Sequence, residues 1–162
     1  MRNLAELGAP VAERLKSSNA TVAVAESSTA GLISAALLAV PGASAYYRGG
    51  SVIYTLEARR ELLGIRRADV EGLQPLTQEM TARFAAVARG QLNATWAVAE
   101  LGVAGPTPAR YGHPPGISVV AIDGPQPMAR IIETGSDDRE ANMWRFTEAA
   151  LALLVEALDA SA

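Results

Sequence analysis

Glu26, Ser27, Ser28 and Thr29 are consecutive in the stretch TVAVAESSTAGL, residues 21–32, and place one carboxylate beside three hydroxyls. The apolar run before them and the alanine- and leucine-rich run after them predict a buried strand that turns directly into a helix at Ser28. Such a turn points the free N–H groups of a helix N-terminus past the carboxyl end of the strand, which is the physical basis of an anion or oxyanion site. Ser27 then sits where a nucleophile sits in a strand-to-helix elbow, although the Gly-x-Ser-x-Gly spacing is absent. Taken alone, the cluster is read more simply as a helix cap, with Ser28 or Thr29 as the capping residue.

The other groups with chemical potential are scattered. Glu100, beside Leu101 at the end of a strand-like run, is a carboxylate that could act as a base or could be structural. His113 is the single histidine, between Gly112 and Pro114, and reads as an exposed loop residue rather than a base or metal ligand. Asp137 and Asp138 suit the start of the last helix, where capping and the helix dipole account for them. Glu57, Arg60 and Glu61 form a solvated helix face, and Trp96 and Trp144 read as core or interface. Neither a P-loop nor a Gly-x-Gly-x-x-Gly fingerprint occurs, so no ATP or dinucleotide cofactor is expected, and no metal site is either.

The elements that must position these groups follow from periodicity and punctuation. Residues 2–17 carry Leu4, Leu7, Val11, Ala12 and Leu15 at helical spacing. Further helices are expected over 28–39, over LEARRELLG with Gly64 closing it, over 78–91 behind Thr77, and over 137–159. Strands are expected over 21–25, over 45–55 with a bulge or close approach at Gly49 and Gly50, from Thr95 towards Val103, and as a late hairpin joined by GPQP. Helices alternating with strands, then a hairpin, give an α/β fold: a three-layer α/β/α sandwich on a mixed sheet.

Composition bounds the setting. The 162 residues suit a single domain, 1–162, and 49% hydrophobic content suits a sizeable core. A net charge of −3 gives no general basic field, so nucleic acid is not an expected partner. No secretory signal and no membrane-length apolar run is visible, and there are no cysteines, so a cytoplasmic protein is expected. Tyr46, Tyr47 and Tyr54, read as one strand, and the apolar helix 28–39 suggest a homo-oligomer, most simply a two-fold dimer.

Three stretches, AESSTAGL, GGSVIYTLEARRELLGI and ELGVAGPT, together resemble the C-terminal domain family of the competence/damage-inducible protein CinA. The pattern continues through Pro115 to Ser118 and Asp137 to Arg139, and the likeness runs from about residue 4 to 155. The family includes amidohydrolases that convert nicotinamide mononucleotide and water to nicotinate mononucleotide and ammonia. Carried over by position, the resemblance makes Ser27 the nucleophile, Tyr54 an orienting or proton-relaying hydroxyl, and Arg59 the occupant of the base position. It makes Glu26, Ser28, Thr29, Gly31, Gly102, Gly105 and Arg139 the residues around a small-molecule nucleotide. Longer relatives carry a further N-terminal domain, so a stand-alone form is expected.

The departures bear on mechanism. The family's lysine is Arg59 here, and a guanidinium keeps its proton at working pH, so it could hold a phosphate or oxyanion but could not deprotonate Ser27. Relative to the family pattern, a cysteine has become Ser28, a glycine Ala30, an asparagine Leu56, a small polar residue Leu101 and an arginine Met143. Two functions follow from the resemblance: an amidohydrolase of weakened activity, or an inactive paralogue that binds a nucleotide or a protein partner.

Overall fold

The computed structural model describes residues 2–162. Its centre is a five-stranded sheet in the order β2-β1-β3-β4-β5, built from β1 (Val22–Glu26), β2 (Tyr47–Val52), β3 (Trp96–Val103), β4 (Ile117–Asp123) and β5 (Met128–Glu133). β1 runs parallel to both β2 and β3, whereas the hairpin strands β4 and β5 are antiparallel, so the sheet is mixed. Helices α1 (Leu4–Ser17), α2 (Leu32–Leu38), α3 (Leu56–Leu63), α4 (Gln78–Gln91) and α5 (Arg139–Ala160) complete the layers.

Strand alternation decides what each face holds. Val22, Val24, Trp96, Val98, Val120 and Ile122 point to the face covered by α1, α2 and α5, where they meet Leu15, Ile33 and Leu154. The intervening Ala23, Ala25, Ala97, Ala99 and Ala121 form a face of small side chains, against which α4 lays Met80, Phe84 and Ala88. Close approach of α4 to the sheet follows from those alanines. Both faces are covered, as the three-layer reading requires.

The crossovers place a crevice. The chain leaves β1 through α2 to reach β2 on one side, then returns through α3 and α4 to β3 on the other side of β1. Ligand sites of open α/β sheets lie beyond the carboxyl ends of the strands at such a reversal of direction, here β1 and β3.

Several expectations are corrected in detail. The helix expected from Ser28 begins at Leu32, because residues 27–31 make a tight turn ending in Gly31 at φ 99°. Ala30, where the family pattern has glycine, is also held at positive φ, 53°. The bulge in β2 is real: the register slips between Val22 and Ala23, which pair with Tyr47 and Gly49. Gly50 marks the close approach, since a Cβ there would stand 3.0 Å from the Val24 carbonyl oxygen. The three tyrosines do not share a strand. Tyr46 is core, with its hydroxyl donating to the Leu37 carbonyl at 2.5 Å, while Tyr54 lies past the end of β2 and is 58% exposed. α2 buries Ile33, Ala36 and Leu37, so the apolar surface behind the dimer argument shrinks to Leu38, Val52, Tyr54 and Leu56. No helix of the described residues is long and apolar enough to cross a membrane.

Candidate functional site

Two carboxylates stand where the parallel pairing of β1 and β3 ends. Glu26 and Glu100 end up side by side because β1 and β3 pair in register with these two residues as partners. Both are fully buried, and both are held by donors from the turn between them. The division of labour is clear from the contacts. Glu26 accepts from the amides of Gly31, Ile33 and Ser34 at 2.8, 3.2 and 3.1 Å, and from the Thr29 hydroxyl at 2.7 Å. It is therefore the cap of α2, placed in the chain before the turn rather than within it.

Glu100 organises the turn itself. Its Oε2 accepts from the Ser27 and Thr29 amides, each at 3.1 Å, and its Oε1 accepts from Ser28 Oγ at 2.5 Å and Ser118 Oγ at 2.9 Å. Burial raises its pKa above the ordinary 4.5, opposed by the hydrogen bonds from Ser28, Thr29, Ser118 and Ser27.

That raised pKa fixes the sign of a stability effect. The folded chain binds the Glu100 proton more tightly than the unfolded chain, so stability declines as pH rises through the ordinary carboxylate range to the raised folded value, then levels. Urea unfolding of the wild type and Glu100→Gln from pH 4 to 8 checks it: the glutamine variant should lack this part of the decline.

These contacts correct the anion-site expectation. The free N–H groups of the helix N-terminus exist, but the protein's own Glu26 and Glu100 consume them. Among the amides of residues 27–31, Ser28 N–H alone makes no hydrogen bond with the described residues, since Ala30 donates to the Ser27 carbonyl. Glu26, Thr29 and Gly31, expected to touch a nucleotide, build the turn from behind and do not line the adjacent cavity.

That cavity, about 610 Å³, opens beyond the carboxyl ends of β1 and β3. It brings together seven of the ten residues singled out in the sequence: Ser27, Ser28, Tyr54, Arg59, Gly102, Gly105 and Arg139. Thr55 caps α3 through the Ala58 amide and so fixes the first turn that carries Arg59 inward. The Arg59 guanidinium lies 5.1 Å from the centre of the Phe84 ring, and its Nε is buried without a partner. Burial lowers its pKa from the ordinary value, with Tyr111 acting in the opposite sense. Arg139 is a strap as well as a wall: it donates to the Gly105 carbonyl at 2.5 Å and to the Tyr54 hydroxyl at 3.1 Å.

Among the wall and support residues not assigned a role from sequence are Arg110, Tyr111 and Ser118. Arg110 and Tyr111 come from the loop after β3, a segment whose path no periodicity predicts. Ser118 carried a signal, since a hydroxyl inside the apolar run ISVVAID falls at a buried position of β4. His113, read as exposed, is half-buried, with its ring edge-on to Tyr111 at 5.2 Å and its Nδ1 buried without a partner; it is not in the cavity wall. Asp138 caps α5 through the Ala141 amide, as expected, and Arg60 pairs with Glu61 on the exposed face of α3. Among the described residues no cluster of histidine and carboxylate side chains could hold a metal ion.

Residues 4–158 match the CinA C-terminal domain. A CinA-like protein of Acaryochloris marina is 35% identical over 116 residues, which is 72% of this chain and 28% of that protein. One of Chloroherpeton thalassium is 33% identical over 156 residues, 93% of this chain and 37% of the relative. The chain thus spans about a third of the length of these curated relatives. Among solved structures, a competence-damaged protein (CinA) superfamily protein of Klebsiella pneumoniae superposes with a TM-score of 0.89 at 28% identity, covering 98% of this chain and 99% of the other. A second, from Agrobacterium tumefaciens, gives 0.86 at 26% identity with 98% of this chain covered and 97% of the other. With the family match running over residues 4–158 and the superposition covering 98% of the chain, the chain belongs to the CinA C-terminal domain family.

Proposed function

We propose that the cavity binds a pyridine mononucleotide and hydrolyses its carboxamide, turning nicotinamide mononucleotide and water into nicotinate mononucleotide and ammonia. The rate is below that of relatives with lysine at the position of Arg59. One observation carries the reading: serine hydroxyls, the unengaged Ser28 amide and an arginine without an ion-pair partner among the described residues share one cavity of nucleotide size. In this reading Arg59 holds the phosphate, for which a fixed guanidinium is suited and general-base work is not. Tyr54, steadied by Arg139, orients the pyridine end, Ser27 orients water, and the Ser28 amide faces the developing oxyanion.

Ammonia release from nicotinamide mononucleotide tests the reaction. Calorimetric titration tests the phosphate role: Arg59→Ala should weaken nucleotide binding about 10- to 100-fold, the loss of one charge-assisted hydrogen-bonding group. A second reading, binding without turnover, is favoured by the Arg59 side chain alone, because it offers no base. Saturable binding with no ammonia would select it.

The proposal extends to assembly. The edge strand β2 and the exposed Val52, Tyr54 and Leu56 that follow it form the contact of a two-fold dimer. Light scattering on a size-exclusion column should then give about twice 16.9 kDa, and a monomer mass rejects it.

A further inference from the structure

We infer that Ser28 Oγ is the nucleophile and Glu100 its general base, in the positions of work that the family pattern gives to Ser27 and a lysine. The inference rests on the amide-hydrolase reading for its substrate, and on the geometry of this chain for its residues. Ser28 lines the cavity and donates to Glu100 Oε1 at 2.5 Å. Ser27 lines the same cavity, but its hydroxyl has no carboxylate or amine partner among the described residues; only its amide reaches Glu100.

The two oxygens of Glu100 are in different situations. Oε2 is fixed by the amides of Ser27 and Thr29, which favour the ionised, accepting form against the burial that disfavours it. Oε1 meets only hydroxyls, those of Ser28 and Ser118. When Oε1 takes the proton of Ser28 it keeps a lone pair for Ser118, whose weakened hydrogen bond can shift towards the Leu101 carbonyl at 3.4 Å. The Thr29 hydroxyl acts on the other oxygen, since its Oγ1 stands 3.1 Å from Glu100 Oε2 and nearer, at 2.7 Å, to Glu26. Gly102 completes the arrangement: a Cβ there would stand 2.5 Å from Ser28 Oγ and 2.7 Å from Glu100 Oε1, so a bare backbone keeps the pair in contact.

The chemistry balances. Ser28 Oγ bonds to the carboxamide carbon as its proton passes to Glu100, and Glu100 returns that proton to the amide nitrogen as the C–N bond breaks, so ammonia leaves. Water then attacks the Ser28 ester, giving one proton to Glu100, which passes it to Ser28 Oγ as the ester bond breaks; the carboxylic acid so formed gives its remaining proton to ammonia. The sum is amide plus water to carboxylate and ammonium, with no further reactant.

A fluorophosphonate that phosphonylates activated serines, followed by peptide mass spectrometry of the unaltered protein, tests the pair without using the nucleotide. The label is expected on Ser28, absent in Ser28→Ala, and slower by about 100-fold or more in Glu100→Gln. The labelling rate of the unaltered protein should also rise with pH through one ionisation, a readout that stands if Glu100→Gln fails to fold. Label on Ser27, no label on either serine, or a rate independent of pH and of Glu100 overturns the inference. Label on Ser28 without ammonia from nicotinamide mononucleotide leaves the pair intact and rejects the substrate reading instead.

Discussion

Glu26→Ala is expected to melt about 6–12 °C below the wild type. The carboxylate is fully buried and accepts from three amides at the start of α2, and its loss leaves those donors facing apolar surroundings. Each buried unsatisfied donor costs on the order of 1–3 kcal/mol. Gly31 and Ser34 are part-buried, so entering water can satisfy them, whereas Ile33 N–H has no such relief. A net loss of about 3 kcal/mol follows, and a domain of this size shifts by roughly 2–4 °C for each. Glu26→Gln, which keeps one acceptor oxygen, should lose less. Circular dichroism melts at pH 7 decide the matter, and an alanine variant within 2 °C of the wild type would show that α2 does not depend on this cap.

Gly102→Ala is expected to lower turnover by about 100-fold or more while leaving the fold in place. The added methyl would meet Ser28 Oγ, Glu100 Oε1 and the Ile117 carbonyl oxygen, the last at 3.1 Å. The Ile117 backbone is tied into β4, between β3 and β5, and cannot retreat. The hydroxyl of Ser28 is the member free to move, and it moves away from its base. Circular dichroism should be unchanged, and a drop in ammonia release of less than threefold would mean that the Ser28–Glu100 contact does not govern the rate.

The fold was legible because its signals are local and repeated. Thr77 before α4, Gly64 after α3 and the GPQP turn between β4 and β5 each specify a boundary by their own chemistry. The strands alternated between large and small apolar residues, which is what a sheet covered on both faces demands. The start of α2 was misplaced because Ser28 and Thr29 are good caps in isolation, while the actual cap, Glu26, reaches forward from the strand. No local rule assigns a carboxylate to amides five to eight positions ahead.

The site was legible as a set of residues and not as a set of roles. Ser27, Ser28, Tyr54, Arg59, Gly102, Gly105 and Arg139 do share a cavity. Which serine meets a carboxylate depends on the register that pairs Glu26 with Glu100, a contact 74 positions apart that only the folded sheet creates. Glu100 was visible in sequence as a carboxylate at a strand end, but its partners Ser28 and Ser118 come from a turn and from the antiparallel hairpin.

The most direct measurement of the central claim is the steady-state release of ammonia from nicotinamide mononucleotide by the purified protein, compared with Ser28→Ala. The account predicts slow, saturable release that yields nicotinate mononucleotide in equal amount and disappears in the variant. No release by the unaltered protein at saturating nucleotide would contradict it.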